Sequence, residues 1–250
     1  MKILFTVCAR AGSKGAVGKN VREFCGKPIV HYTLEIYEKY VEKYRNSGYE
    51  VELAVNTDSK WLVGQIDQKG TEYIFVERKE ALAGDAVAKG DVIRDTLLET
   101  EKITNVTYDL VVDLDITSPL RNLADVEGAI RQVMQHERCN YAYSVVGARR
   151  NPYFNMVRRN EEGFYDKVIP SDYTARQQTP ECFDMNASIY VYERAYLLDM
   201  RVEKQFALIW KMEDSLVLDI DSDSDFEMME MLAGYYWEKG RYLDVRNCKD

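Results

Sequence analysis

Along the chain, short unbroken apolar runs alternate with longer stretches in which apolar residues return at helical spacing. Ile3 to Cys8 is one such run, and it stops at Ala-Arg-Ala-Gly-Ser-Lys-Gly, the pattern of a buried strand entering a glycine-bearing loop. Pro28 then opens a helical stretch in which Ile29, Leu34, Ile36, Tyr37, Tyr40 and Val41 recur through Tyr44. Val51 to Asn56 predicts the next strand, with Thr57-Asp58-Ser59 behind it as a helix cap. The alternation predicts a helix near Trp61 to Gln68, a strand near Tyr73 to Val76, a helix near Gly90 to Glu101 and a strand at Asp109 to Asp113. A helix over roughly Leu123 to His136 and a strand at Ala142 to Val146 follow. Strands separated by helices pair in parallel with helices on both faces, so the expectation is a doubly wound, mostly parallel α/β fold.

After Val146 the rhythm breaks. Gly147 to Pro180 carries Arg149-Arg150, Asn151-Pro152 and a turn at Asn160-Glu161-Glu162-Gly163, with alternating residues on either side of it. Short antiparallel strands fit this best, leaving the main sheet as an arm or lid. Tyr153, Phe154, Met156 and Phe164 give that arm apolar surface to bury, with a partner subunit as one candidate. Ser188 to Tyr192 returns to the sheet, and a helix from about Asp225 to Lys239 closes the chain. One domain over residues 1–250 is expected, with an inserted extension at about 147–187.

Charge narrows the partners. With 33 basic and 42 acidic residues the net charge is -9, so no global positive field exists to hold nucleic acid or an anionic membrane. An anionic ligand must meet a local cluster of cations and backbone N–H groups. The five cysteines are odd in number, widely spaced and lack a CxxC pair, against a disulfide framework and a zinc site and in favour of a cytoplasmic location. No signal peptide and no membrane span are expected. The 18 tyrosines are scattered at packing positions, and His31 and His136 fall in predicted helices without partner ligands.

In open parallel sheets, ligands bind beyond the carboxyl ends of the strands, which singles out the loop Cys8 to Asn20. Gly12, Gly15 and Gly18 let its backbone turn N–H groups toward a ligand, and Arg10, Lys14 and Lys19 add positive charge with no acidic residue between them. Two readings stand for the residues alone, a triphosphate cradle and a solvated basic turn. The loop is neither GxxxxGK[ST] nor GxGxxG, which disfavours ordinary P-loop ATPases and NAD enzymes.

The loop Ala9-Arg10-Ala11-Gly12-Ser13-Lys14-Gly15 through Lys19-Asn20, with Gly26-Lys27-Pro28 behind it, resembles that of the acylneuraminate cytidylyltransferases, the CMP-sialic acid synthetases and their relatives. Thr117-Ser118-Pro119-Leu120-Arg121, Arg176-Gln177 ahead of Asn186-Ala187-Ser188-Ile189-Tyr190, and Leu218-Asp219-Ile220-Asp221 agree with it in order and spacing. The resemblance implies a nucleotide-diphospho-sugar transferase-like, Rossmann-type fold with a small β-rich dimerisation extension, and hence a homodimer. It also implies attack by the anomeric hydroxyl of a sugar acid on the α-phosphate of CTP.

On the same grounds Arg10, Lys19 and Asp221 are the expected catalytic residues. Arg10, Ala11, Gly12, Ser13, Lys14, Lys19, Asn20, Arg78 and Asp85 would line the nucleotide, though on pattern alone an arginine placed like Arg78 is more often a solvated charge. Asp115, Thr117, Ser118, Arg121, Arg176, Gln177 and Tyr190 would face the sugar, with Tyr190 alternatively plain core. Asp219 and Asp221 alternate along an extended segment, so both side chains share a face and suit a Mg2+ ion; an acidic turn capping the last helix is the other reading, with Asp223 and Asp225 nearby.

The chain departs from the family's Gln-Pro-Thr-Ser-Pro-Leu-Arg, which here reads Asp115-Ile116-Thr117-Ser118-Pro119-Leu120-Arg121. An ionised aspartate accepts hydrogen bonds but donates none, and it repels a sugar carboxylate unless a cation intervenes. The family's Asn-Gly-Ala likewise becomes Asn186-Ala187-Ser188. Both changes fall on the sugar side. Alternatives are an eight-carbon sugar acid or a sugar phosphate as acceptor, or a non-catalytic nucleotide-sugar-binding protein.

Overall fold

The computed structural model describes residues 1–12 and 18–246. The apolar run that opens the chain is β1 (Lys2–Cys8), whose interior residues are all buried. A two-residue hairpin, β2 (Glu23–Phe24) and β3 (Lys27–Pro28), leads into α1 (Ile29–Tyr44). Then come β4 (Glu50–Thr57), α2 (Lys60–Lys69), β5 (Ile74–Glu77), α3 (Lys89–Thr104), β6 (Leu110–Leu114), α4 (Leu123–Gln135) and β7 (Tyr141–Gly147). The extension carries β8 (Val157–Arg159) and β9 (Tyr165–Lys167), and β10 (Phe183–Glu193), α5 (Arg194–Leu198), β11 (Ala207–Lys211) and α6 (Asp223–Glu238) complete the chain.

The caps have the chemistry that the sequence suggested. Ser59 accepts a hydrogen bond from the Leu62 N–H at the start of α2, and Ser222 with Asp225 forms a reciprocal capping box on α6. At the start of α4 the Asn122 N–H donates to the Asp125 carboxylate at 2.9 Å, and the Asp125 N–H donates to the Asn122 carbonyl at 3.1 Å.

The main sheet has seven strands in the order β11-β7-β10-β6-β1-β4-β5. Every pairing is parallel except those of β10, which runs antiparallel to both β6 and β7. From β1 the chain winds outward through β4 to β5, then returns to β6 on the opposite side of β1. That reversal opens a crevice between the carboxyl ends of β1 and β6, where doubly wound sheets bind ligands. On one face, Phe5 packs against Tyr37 and Tyr40 of α1, with ring centroids 5.4 and 5.0 Å apart. Elsewhere on the sheet Tyr141, Tyr192 and Tyr196 stack, so these tyrosines serve packing.

The extension is a hairpin closed by the Asn160–Gly163 turn, in which Gly163 takes a φ of 91°. It exposes Val157, Phe164 and Tyr165. The sequence pattern does not announce the β2–β3 hairpin, the short helix α5 or the edge strand β11.

Candidate active site

The loop that leaves β1 is tied to its neighbours by hydrogen bonds and ion pairs. Arg10 donates to the Ala83 carbonyl at 3.0 Å and meets the Asp85 carboxylate at 2.6 Å. The Ala11 N–H donates to Asp58 at 2.6 Å, while Gly12 is exposed. Gly18 takes a φ of 66°, in the left-handed region that glycine reaches without strain, and so delivers Lys19 and Asn20 back to the crevice. Ser13, Lys14 and Gly15 lie outside the described residues. From the end of β5, Arg78 is buried and donates to the Asn56 side chain at 2.8 Å. Arg10, Lys19, Asn20 and Arg78 thus line the basic side of a cleft of about 430 Å³.

The other side of the same cleft is acidic: Asp115 from the end of β6, and Asp219 and Asp221 from the segment before α6. That segment is extended without joining the sheet; the Ile220 N–H donates to the Thr117 carbonyl at 3.0 Å, burying Ile220 and leaving the aspartates on either side. Lys19 closes the ring, donating to the Ile220 carbonyl at 2.6 Å and to Asp221 at 2.7 Å. Burial and the neighbouring Asp221 and Asp115 charges raise the Asp219 pKa above the ordinary carboxylate value. A divalent cation between Asp219 and Asp221 would relieve that repulsion. Among the described residues no group of three or more His, Cys, Asp or Glu side chains is placed to hold a metal. A pair of carboxylates suits Mg2+, which keeps much of its shell for phosphate and water oxygens.

A family model described as Cytidylyltransferase matches residues 4–244, nearly the whole chain. The chain belongs to the cytidylyltransferase family. It is 36% identical over 233 residues to the post-translational flagellin modification protein B of Campylobacter coli, covering 92% of this chain and 94% of that protein. It is 35% identical over 235 residues to the CMP-N,N'-diacetyllegionaminic acid synthase of Campylobacter jejuni, with the same coverage of 92% and 94%. Among solved structures, a CMP:2-keto-3-deoxy-manno-octonic acid synthetase complexed with CTP shares the fold with a TM-score of 0.62 at 15% identity, over 94% of this chain and 99% of that one. The protein is therefore an enzyme of the nucleotidyl-transfer type.

In this cytidylyltransferase the residues assigned to the sugar separate into three groups, with Tyr190 apart from them. Asp115 and Thr117 line the cleft, and Thr117 donates from both its backbone N–H and its hydroxyl to Asp115. Arg121 lies beneath the cleft. Its guanidinium is fully buried and donates to the carbonyls of Ser118 at 3.1 Å, Ser188 at 2.9 Å and Asp115, so it holds the backbone that presents Asp115. Ser118, also buried, belongs to the same scaffold. Arg176 and Gln177 are brought to a different cleft, of about 420 Å³, beside Ala148, Arg149 and Lys211, where Arg176 donates to the Ala148 carbonyl at 2.5 Å. The reason is topological: the extension leaves the sheet from β7, separated from β6 by β10.

Tyr190 sits on β10 opposite Asp113 and is partly buried, its pKa raised by burial. Asn186 and Ala187 lie at an irregularity of the same strand, where Ala187 takes a φ of 49° and Asn186 accepts from the Ser144 hydroxyl at 2.7 Å.

One residue escaped the sequence reading. Lys89, the first residue of α3, reaches the cleft with its ammonium 2.9 Å from Asp113, in contact with Asp115, and 4.9 Å from the centre of the Tyr190 ring. Burial disfavours its charge, but the two carboxylates overcome that and raise its pKa. The available signal was Asp113 itself, an acid inside the buried run Leu110–Leu114, which demands a cation nearby. Asp58, bonded to the Ala11 N–H, was read only as part of a helix cap.

Proposed function

We propose that this cytidylyltransferase transfers CMP from CTP to the anomeric hydroxyl of a sialic-acid-like 2-keto sugar acid, releasing pyrophosphate, with Mg2+ as cofactor. The observation that carries the proposal is the division of one cleft into a basic side and an acidic side. Arg10 and Lys19 would take the triphosphate, with Asn20 and Arg78 beside them. The names of the relatives described above support a sugar acid as acceptor.

Asp219 and Asp221 would hold the Mg2+, which when bound neutralises phosphate charge and lowers the pKa of a hydroxyl that it contacts. The anomeric hydroxyl gives up its proton to water as its oxygen bonds to the α-phosphorus, and the bond from that phosphorus to the bridging oxygen breaks. Negative charge then grows on the departing pyrophosphate, where the fixed charges of Arg10 and Lys19 stabilise it with no rearrangement at the moment of reaction. Lys19 also keeps Asp221 oriented before substrate arrives, through the bonds to Asp221 and the Ile220 carbonyl.

The proposal extends to a homodimer formed through residues 147–187 and to a cytoplasmic location. Phe164 and Tyr165, each 69% exposed, and Met156 support the first by giving the extension an uncovered apolar surface. No helix among the described residues is long and apolar enough to cross a membrane.

The test is pyrophosphate release from CTP with a panel of 2-keto sugar acids of eight and nine carbons, against UTP and GTP with sugar phosphates. Release with CTP and a sugar acid is expected. No release with CTP and any such acid would remove the proposal, and light scattering that gives a monomer mass would remove the dimer.

A further inference from the structure

Lys89, Asp113 and Asp115 place one ammonium against two carboxylates at the floor of the cleft. Asp113 is fully buried and accepts a hydrogen bond from the Thr6 hydroxyl at 2.8 Å, so its place is fixed by the sheet. Asp115 is fixed from all sides. Its backbone N–H donates to the Ser188 carbonyl at 3.2 Å, and its own carbonyl accepts from Arg121. One carboxylate oxygen accepts twice from Thr117 and the other accepts from Lys89. With two oxygens offering roughly four acceptor sites, a carboxylate so held keeps one for a ligand.

The group left open limits what that ligand can be. Lys89 and the buried Arg121 guanidinium balance the two carboxylates, and the group still open to a ligand is the Asp115 carboxylate, so neither a phosphate nor the carboxylate of a sugar acid settles against it. The anionic parts of both substrates belong to the basic side, with Arg10 and Lys19. An uncharged donor, a hydroxyl or an amide N–H, is the group that gains from meeting Asp115.

We propose that Lys89 and Asp115 form a specificity device: Lys89 is a positioning residue that holds the Asp115 carboxylate as a rigid acceptor, and Asp115 selects sugar acids presenting a hydroxyl or amide N–H donor at that point. The proposal rests on the reading of the cleft as a sugar-acid cytidylyltransferase site. Lys89 contributes through Asp115, because its ammonium is already engaged by the two carboxylates.

The experiment measures kcat and KM for CTP and for a panel of sugar acids that differ in one donor, a hydroxyl replaced by hydrogen or by methoxy, or an N-acyl group removed. The enzymes compared are the wild type, Asp115→Asn, Lys89→Met, Lys89→Arg and the double variant Lys89→Met/Asp115→Asn, each checked for a wild-type circular dichroism spectrum. The double variant keeps the net charge of the floor, so it reports even if Lys89→Met alone does not fold. The wild type is expected to prefer the acid bearing the critical donor by about 10- to 100-fold in kcat/KM, the range for a hydrogen bond to a charged group. Asp115→Asn and the double variant are expected to lose that preference. Lys89→Met is expected to raise the sugar KM about tenfold while the CTP KM stays within about twofold, and Lys89→Arg to recover part of the loss. An unchanged ranking of sugars in Asp115→Asn and the double variant, or a CTP KM that rises as much as the sugar KM, overturns the proposal. Absence of turnover by the wild type with every sugar acid overturns the functional reading itself, an outcome separate from turnover with an unmoved ranking.

Discussion

Lys19 and Asp221, 202 positions apart in the sequence, meet at 2.7 Å across the mouth of the cleft. The pair joins the loop after β1 to the segment before α6, so the cation assigned to the triphosphate and the carboxylate assigned to the metal hold each other in place. The Asp221 side chain is 73% exposed, which leaves it open to a cation arriving from solvent. A surface ion pair of this kind adds little stability, on the order of 0–1 kcal/mol, so its value lies in orientation.

Asp221→Ala is therefore expected to leave the melting temperature nearly unchanged and much of the CTP affinity in place, while kcat falls at least about 100-fold and the response to added Mg2+ disappears. Calorimetric CTP binding and a magnesium titration of the initial rate check this. Turnover equal to wild type would remove Asp221 from the mechanism.

Arg121 gives the opposite separation. Because its guanidinium donates to three backbone carbonyls inside the protein, Arg121→Ala strands acceptors that burial keeps from water. Each buried polar group left unpaired costs about 1–3 kcal/mol. The expected outcome is a loss of several kcal/mol in urea unfolding, with poor soluble yield. A variant of wild-type stability with only a raised sugar KM would return Arg121 to the sugar.

The fold was legible where a segment's pattern is set by its own burial. Pro28 before Ile29, the Ser59 cap and the Asn160–Gly163 turn each announce an element whose ends the structure places within a few residues of the expectation. Strand direction was harder to read, because β10 has the same apolar face whichever way it runs; its antiparallel place follows from the path of the extension before it. In the site, Arg10, Lys19, Asp219 and Asp221 stand out in the sequence because charge sits there without compensation from adjacent residues, and the structure brings the four to one cleft. Lys89 does not stand out, since an isolated lysine at a helix start resembles any solvated one, and its partners Asp113 and Asp115 are more than 20 residues away along the chain. The backbone contacts of Arg121 were hidden for a related reason: a conspicuous arginine beside a binding loop serves a ligand or the backbone equally well on sequence alone.

Gly128 in α4 faces the ring of Trp210 on β11 so closely that an added Cβ would lie 2.4 Å from two ring atoms. Trp210 cannot yield easily, because its indole N–H is bonded to Asp125 at 3.1 Å. Gly128→Ala gains helix propensity of about 1 kcal/mol, but overpacking on a rigid ring costs about 1–3 kcal/mol or more and should win. A lowered melting temperature is expected, with recovery in Gly128→Ala/Trp210→Leu. A single variant more stable than wild type would show that the helix and strand move apart freely.

Asp115 supplies a prediction in pH. Burial works to raise its pKa, but the Lys89 charge and the hydrogen bonds from Lys89 and Thr117 prevail and hold it at about 2. In the unfolded chain an aspartate titrates near 3.9. A folded-state pKa below the unfolded one means that the unfolded chain takes up the proton first as the pH falls. The stabilisation is therefore complete above about pH 4 and is lost between about pH 4 and pH 2. Asp115→Asn carries no such proton, so the stability difference between wild type and Asp115→Asn in urea should be constant from pH 5 to 7 and shift against the wild type below about pH 4. Lys89 stays charged throughout that window, its own pKa raised by Asp113 and Asp115 against the effect of burial, so the change belongs to the carboxylate side of the pair. A difference that stays flat from pH 6 down to pH 3 would show that Asp115 is not held in its ionised form by Lys89.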